Sequence, residues 1–87
     1  MTRYKIIIAP RAKKQIEILP QNIKTRIGDV LLNVLSVNPL LGKALKGELK
    51  GLYSYRVGDY RIIYNILKYK LLIQVVKVMH RREVYRG

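Results

Sequence analysis

The sequence predicts an α+β fold of order β-α-α-β-β-β, a helix hairpin packed on a largely antiparallel four-stranded sheet. Three observations predict it. Between Pro20 and Asn38 the apolar residues recur with the period of a helix. After Gly51 three runs follow with the composition and alternation of strands, and a short β-branched run precedes Pro10. The chain of 87 residues then forms a single domain, residues 1–87, with room for one small core and no second domain.

Each element has a local cause. Arg3 to Ile8 is rich in β-branched residues and is closed by Pro10, which reads as a first strand. Pro10 suits the first position of a helix running towards Leu19, with Ala12, Ile16 and Leu19 on one face. Pro20 ends that helix and opens the next. There Ile23, Ile27, Val30, Leu31, Val34 and Leu35 form one apolar stripe, ended before Asn38-Pro39. From Leu40 to Gly51 the periodicity dissolves into a loop punctuated by Gly42, Gly47 and Gly51. The strands Leu52 to Val57 and Tyr60 to Leu67 are joined by Gly58-Asp59, a strong hairpin signal. Lys68-Tyr69-Lys70 is a second turn, without glycine, leading into a last strand from Leu71 to Met79.

Lysine and arginine number 18 against 5 acidic residues, a formal net charge of +13. That exceeds what solubility needs and points to a polyanionic partner, at the least a ribosome- or nucleoid-associated surface. With 49% apolar residues the chain is globular rather than a basic disordered tail. The absence of cysteine excludes disulfides and thiolate metal sites and fits a reducing cytoplasm. The apolar run Ile6-Ile7-Ile8-Ala9 is too short for a signal peptide, and no stretch is long enough to span a membrane.

Most catalytic schemes fall away. Glu17, Asp29, Glu48, Asp59 and Glu83 are scattered and there is a single histidine, so no metal site is expected and no cofactor. Gly42-Lys43 lacks the earlier glycine of a phosphate loop, whose place is taken by Val37. What remains is chemistry by arginine, lysine, tyrosine and one histidine on a phosphate. Its densest cluster, His80-Arg81-Arg82-Glu83-Val84-Tyr85-Arg86, follows directly on the last strand, which sets where the cluster begins. Of these side chains only histidine ordinarily titrates near neutral pH, which makes His80 the acid–base candidate. Lys13, Lys14, Lys24 and Arg26 read as solvated helix faces that act through long-range attraction.

Asn38-Pro39, Leu45-Lys46-Gly47, Leu49-Lys50-Gly51-Leu52 and Tyr55-Arg56-Val57-Gly58-Asp59-Tyr60-Arg61-Ile62-Ile63-Tyr64 resemble the core signature of the RelE/ParE toxin superfamily. The tail from His80 to Arg86 resembles the RelE end of that superfamily, and the resemblance spans nearly the whole chain. It implies a microbial ribonuclease-like fold and the toxin of a type II toxin–antitoxin pair. For a RelE-type toxin it implies a ribosome-dependent, metal-independent mRNA endonuclease in the cytoplasm. The cognate partner would be an acidic RelB-like antitoxin, with operator DNA reached only through that antitoxin. ParE-like gyrase binding without catalysis, or a basic nucleic-acid-binding domain without catalysis, are the alternatives. The resemblance supports Arg61, Arg81 and Tyr85 as active-site residues. Arg61 would steady the scissile phosphate, Arg81 would assist the leaving oxygen, and Tyr85 would stack on the target nucleotide. Relatives carry lysines on the preceding strand, where this chain has Leu52, Ser54 and Arg56. Lys46, Lys50 or Arg56 would have to compensate, with Arg82 and Arg86 as further substrate-binding residues.

Overall fold

The computed structural model describes residues 3–84, with side chains through Arg82. In chain order the elements are β1 (Lys5–Ile8), α1 (Pro10–Glu17), α2 (Gln21–Asp29), β2 (Lys43–Ala44), β3 (Leu52–Val57), β4 (Tyr60–Leu67), β5 (Leu72–His80) and α3 (Arg81–Val84). Pro10 stands at the start of α1, where its missing N–H is no loss. α2 continues through a π-helical turn, Val30–Leu35, in which Ser36 N donates to Leu31 O at 3.1 Å. The apolar stripe takes its expected role: Ile27, Leu31 and Leu35 are buried, and Ile23, Val30 and Val34 half-buried.

The sheet has five strands in the order β1-β5-β4-β3-β2, one more than the sequence predicts. The addition is β2, two residues inside the segment expected to be a loop, paired antiparallel as Lys43 to Ser54 and Ala44 to Tyr53. Two residues are too short to carry a period, so this strand owes its existence to the finished edge of β3. β1 pairs in parallel with β5 and every other pairing is antiparallel. The first strand begins at Lys5 rather than Arg3, and the polar tail opens with the helical turn of α3.

One face of the sheet carries the core. Val57, Ile62, Tyr64, Ile73, Val75 and Val78 pack against Ala12 of α1 and Ile27, Leu31 and Leu35 of α2. On β5 the core positions step from Ile73 and Val75 to Val78, which breaks the alternation of a regular strand. A bulge explains the step: Ile63 pairs with Lys77, yet its neighbour Tyr64 pairs with Val75. Without the extra residue, Lys77 and Met79 would turn into the core in place of Val78. Just beyond the bulge, Val78 N donates to Gln15 Oε1 of α1 at 2.8 Å, tying helix to strand where the pattern shifts.

Candidate active site

Alternation sends Leu52, Ser54 and Arg56 of β3 to the face opposite the helices, together with Arg61, Ile63 and Asn65 of β4. Register then sets these side chains in rows across the strands. One row is Arg56, Arg61 and Met79; the next is Lys43, Ser54, Ile63 and Lys77. Arg56 and Arg61 are therefore direct cross-strand partners, like charges placed opposite each other at a cost in stability.

The β3–β4 turn holds this pair in place. Arg56 Nε donates to Gly58 O at 3.0 Å, which orients its guanidinium and leaves the remaining N–H groups free to point elsewhere. Asp59 O accepts from Arg81 N at 2.7 Å, so the turn also pins the first residue of α3. As a result Arg56, Arg61 and Arg81 line one shallow pocket of ≈ 30 Å³ with Gly58, Asp59 and Tyr60. The sole carboxylate there belongs to Asp59, 3.7 Å from Arg81 Nη1, with both side chains 61% exposed. A loose, solvated ion pair of this kind offsets little of the arginine charge. Three arginines with one weakly engaged carboxylate have the charge to hold an anion, and their forked donors suit the oxygens of a phosphate.

The family model for the ParE toxin of type II toxin–antitoxin systems matches residues 6–85. The toxins RelE and RelG of Mycobacterium tuberculosis are each 32% identical over 84 residues, covering 95% of this chain and 87% and 97% of their own lengths. In the crystal structure of the Mycobacterium tuberculosis toxin–antitoxin complex RelBE2, a chain 32% identical superposes with a TM-score of 0.87. That match covers 93% of this chain and 94% of the other. This chain belongs to the RelE/ParE toxin superfamily.

The toxin brings together some of the residues singled out from sequence and separates others. Arg56, Arg61 and Arg81 meet at the pocket. His80 does not join them: it pairs across the sheet with Tyr60, on the face that packs against the core, with ring centroids 5.1 Å apart and edge to face. Its Nδ1 accepts from Arg82 N at 3.3 Å, so the ring is engaged with the backbone at the start of α3. Lys50 lies at the opposite end of β3, lining a larger cavity of ≈ 510 Å³ with Leu45, Tyr53, Ile66 and Tyr69. Lys46 precedes the short helical turn Gly47–Leu49 in the same loop, and neither lysine lines the arginine pocket. Arg82 is exposed on α3, while Tyr85 and Arg86 lie outside the described residues.

Sequence reasoning missed Lys43 and Lys77, which share the open face with the arginines. A signal for Lys77 was present. Ile73, Val75 and Val78 cannot share one face of a regular strand, so a lysine between the last two marks a bulge. No comparable signal exists for Lys43, because β2 has no pattern of its own.

Proposed function

We propose that this toxin is a ribosome-dependent mRNA endonuclease, held inactive in the cytoplasm by an acidic antitoxin. The observation that carries the reading is the convergence of Arg56, Arg61 and Arg81 on one pocket, with a single loosely held carboxylate. Stabilising proteins rarely oppose like charges in a strand pair; a site that awaits an anion has reason to do so. A relative supports the antitoxin part of this reading, since the RelBE2 chain matched above was solved together with its antitoxin. A net charge of +13 would draw the toxin both to ribosomal RNA and to a partner rich in acid.

RNA cleavage at such a site uses the substrate's own 2′-hydroxyl. The 2′ oxygen bonds to the adjacent phosphorus as the bond from phosphorus to the 5′ oxygen breaks. One proton leaves the nucleophile and one is taken up by the leaving oxygen, giving a 2′,3′-cyclic phosphate and a 5′-hydroxyl end. Arg56 and Arg61 hold the non-bridging oxygens and neutralise the charge that grows on them. Arg81, fixed through its backbone to the turn, faces the leaving 5′ oxygen. Tyr85, beyond α3, stacks on the neighbouring base. His80 acts as a positioning residue, since it caps the start of α3 from the other face of the sheet.

Arg61→Ala and Arg81→Ala should each still associate with ribosomes and cleave mRNA about 10²–10³-fold more slowly, the usual cost of one lost charge-stabilising donor. Ribosome sedimentation and primer-extension mapping of cut sites separate the two effects. Wild-type cleavage in both variants would remove the arginine pocket as the active site.

A further inference from the structure

The row of side chains beneath the arginine pair is also cationic, and nothing in the chemistry above uses it. It runs Lys43 on β2, Ser54 on β3, Ile63 on β4 and Lys77 on β5, all on the open face. Lys43 is exposed and Lys77 half-buried, flanking two residues that sit deep in the face: Ser54 at 5% and Ile63 at 3% exposure. Ser54 Oγ is buried without a hydrogen-bond partner, the one such side-chain atom among the described residues. A buried, unpaired hydroxyl costs about 1–3 kcal/mol, and alanine would fit the same space without that cost. Along β3 this row lies two residues from Arg56, about 7 Å. That distance is comparable to one step between successive phosphates in an extended single strand.

Resting on the endonuclease reading, we infer that Lys43 and Lys77 bind the phosphate adjoining the scissile one, with Ser54 as a hydroxyl donor to it. The substrate class is then single-stranded RNA that presents at least two consecutive phosphodiesters along the strand direction. The arginine row takes the phosphate that reacts, and the lysine row takes its neighbour. The bulge on β5 serves this arrangement, because it alone turns Lys77 to the open face. Placed by register on either side of Ser54, the two flexible lysines act as point charges and leave bidentate geometry to the arginines.

The test uses the full chain and two uncleavable 2′-O-methyl oligonucleotides without terminal phosphates: a dinucleotide with one phosphodiester and a trinucleotide with two. Binding is followed by amide NMR shifts across a series of salt concentrations. Wild type should bind the trinucleotide more tightly and with a steeper salt dependence, and only the trinucleotide should shift Ser54 and Lys77. The double variant Lys43→Met, Lys77→Met should lose the trinucleotide advantage and about 0.7 of the log–log salt slope for each phosphate contact removed. Its dinucleotide affinity should be unchanged. Ser54→Ala should melt at a higher temperature yet bind the trinucleotide several-fold more weakly. A double variant that keeps the trinucleotide advantage overturns the second subsite and leaves the arginine site standing. An Arg61→Ala variant that binds both oligonucleotides like wild type and also cleaves mRNA at the wild-type rate overturns the endonuclease reading itself. Stabilisation of Ser54→Ala with full affinity removes the serine from the subsite.

Discussion

Tyr64 shows how one residue ties the core to the loop that carries β2. Its ring has no exposed surface, stacks on Tyr53 at 5.7 Å between centroids, and its hydroxyl donates to Pro39 O at 2.6 Å. Gly42 lies against that hydroxyl so closely that any Cβ there would collide with it. Tyr64→Phe removes the donor and strands the Pro39 carbonyl, so stability should fall by about 1–2 kcal/mol in urea unfolding. Burial pushes the Tyr64 hydroxyl up to about 12, above its ordinary value of 10.0. The folded state thus favours the neutral phenol. That contribution is complete below pH 10 and is lost as pH rises from there through about 12. Unfolding measured across this range should show a steeper alkaline loss in wild type than in Tyr64→Phe. Equal slopes would mean that Tyr64 titrates alike in both states. His80 carries a separate expectation at the same scale. His80→Gln, which can still accept from Arg82 N, should retain cleavage with an unchanged pH profile, whereas His80→Ala should lose activity through a displaced α3. A His80→Gln variant as inactive as alanine would restore His80 as a proton carrier.

Among the elements, the two β-turns of the β3–β4–β5 meander solve one steric problem differently. Gly58 takes the left-handed region at φ 60°, as its place in a Gly-Asp turn predicts, and Arg26 Nη1 lies 3.2 Å from where a Cβ would stand. Leu71 occupies the same region at φ 50° with a side chain, after the helical turn Lys68–Lys70. Left-handed backbone costs a non-glycine residue roughly 1–2 kcal/mol, and glycine returns roughly 0.5–1 of that through unfolded-state entropy. Gly58→Ala should therefore lower stability by about 0.5–1 kcal/mol, and Leu71→Gly should raise it by about 0.5 kcal/mol, read as opposite shifts in melting temperature. A destabilised Leu71→Gly would show that the leucine contributes more than its backbone costs. The same strands show what was legible beforehand. The helix stripe, the Gly58-Asp59 hairpin and the arginines at its ends follow from local pattern and could be read directly. β2 and the helical turn of α3 answer to neighbouring strands, so the residues alone do not announce them, and the bulge before Lys77 shows only as a break in the alternation of β5. Arg56 and Arg61 were legible as candidates, and the two-residue Gly58-Asp59 loop already implies their direct opposition, whereas the placing of His80 behind the sheet was not legible. Facing depends on register, and one bulge inverts it.

At the scale of the whole molecule, charge stands on both sides of the sheet among the described residues, and on the open face it falls into cross-strand rows. The open face gathers Lys43, Arg56, Arg61 and Lys77 in two rows, with Arg81 at their end, whereas Lys13 and Lys14 stand exposed on α1, which packs behind the sheet. On the endonuclease reading, charges on the helix side would draw the toxin towards ribosomal RNA without touching the phosphate that reacts, because they lie on the other side of the sheet from the pocket. Their influence fades beyond a Debye length, about 8 Å at physiological salt and about 10 Å at 0.1 M. Lys13→Ala with Lys14→Ala should consequently slow ribosome association at low ionic strength and change little near physiological salt. Cut sites and the single-turnover cleavage rate of bound toxin should be those of wild type. Removal of the open-face charges has the opposite signature, with bound toxin that cleaves poorly at every salt concentration. The decisive measurement pairs ribosome sedimentation over a salt series with cleavage rates at saturating toxin. If the helix-side double variant altered the saturated rate or moved the cut sites, α1 would contact the mRNA path itself, and the division into a steering face and a reacting face would fail.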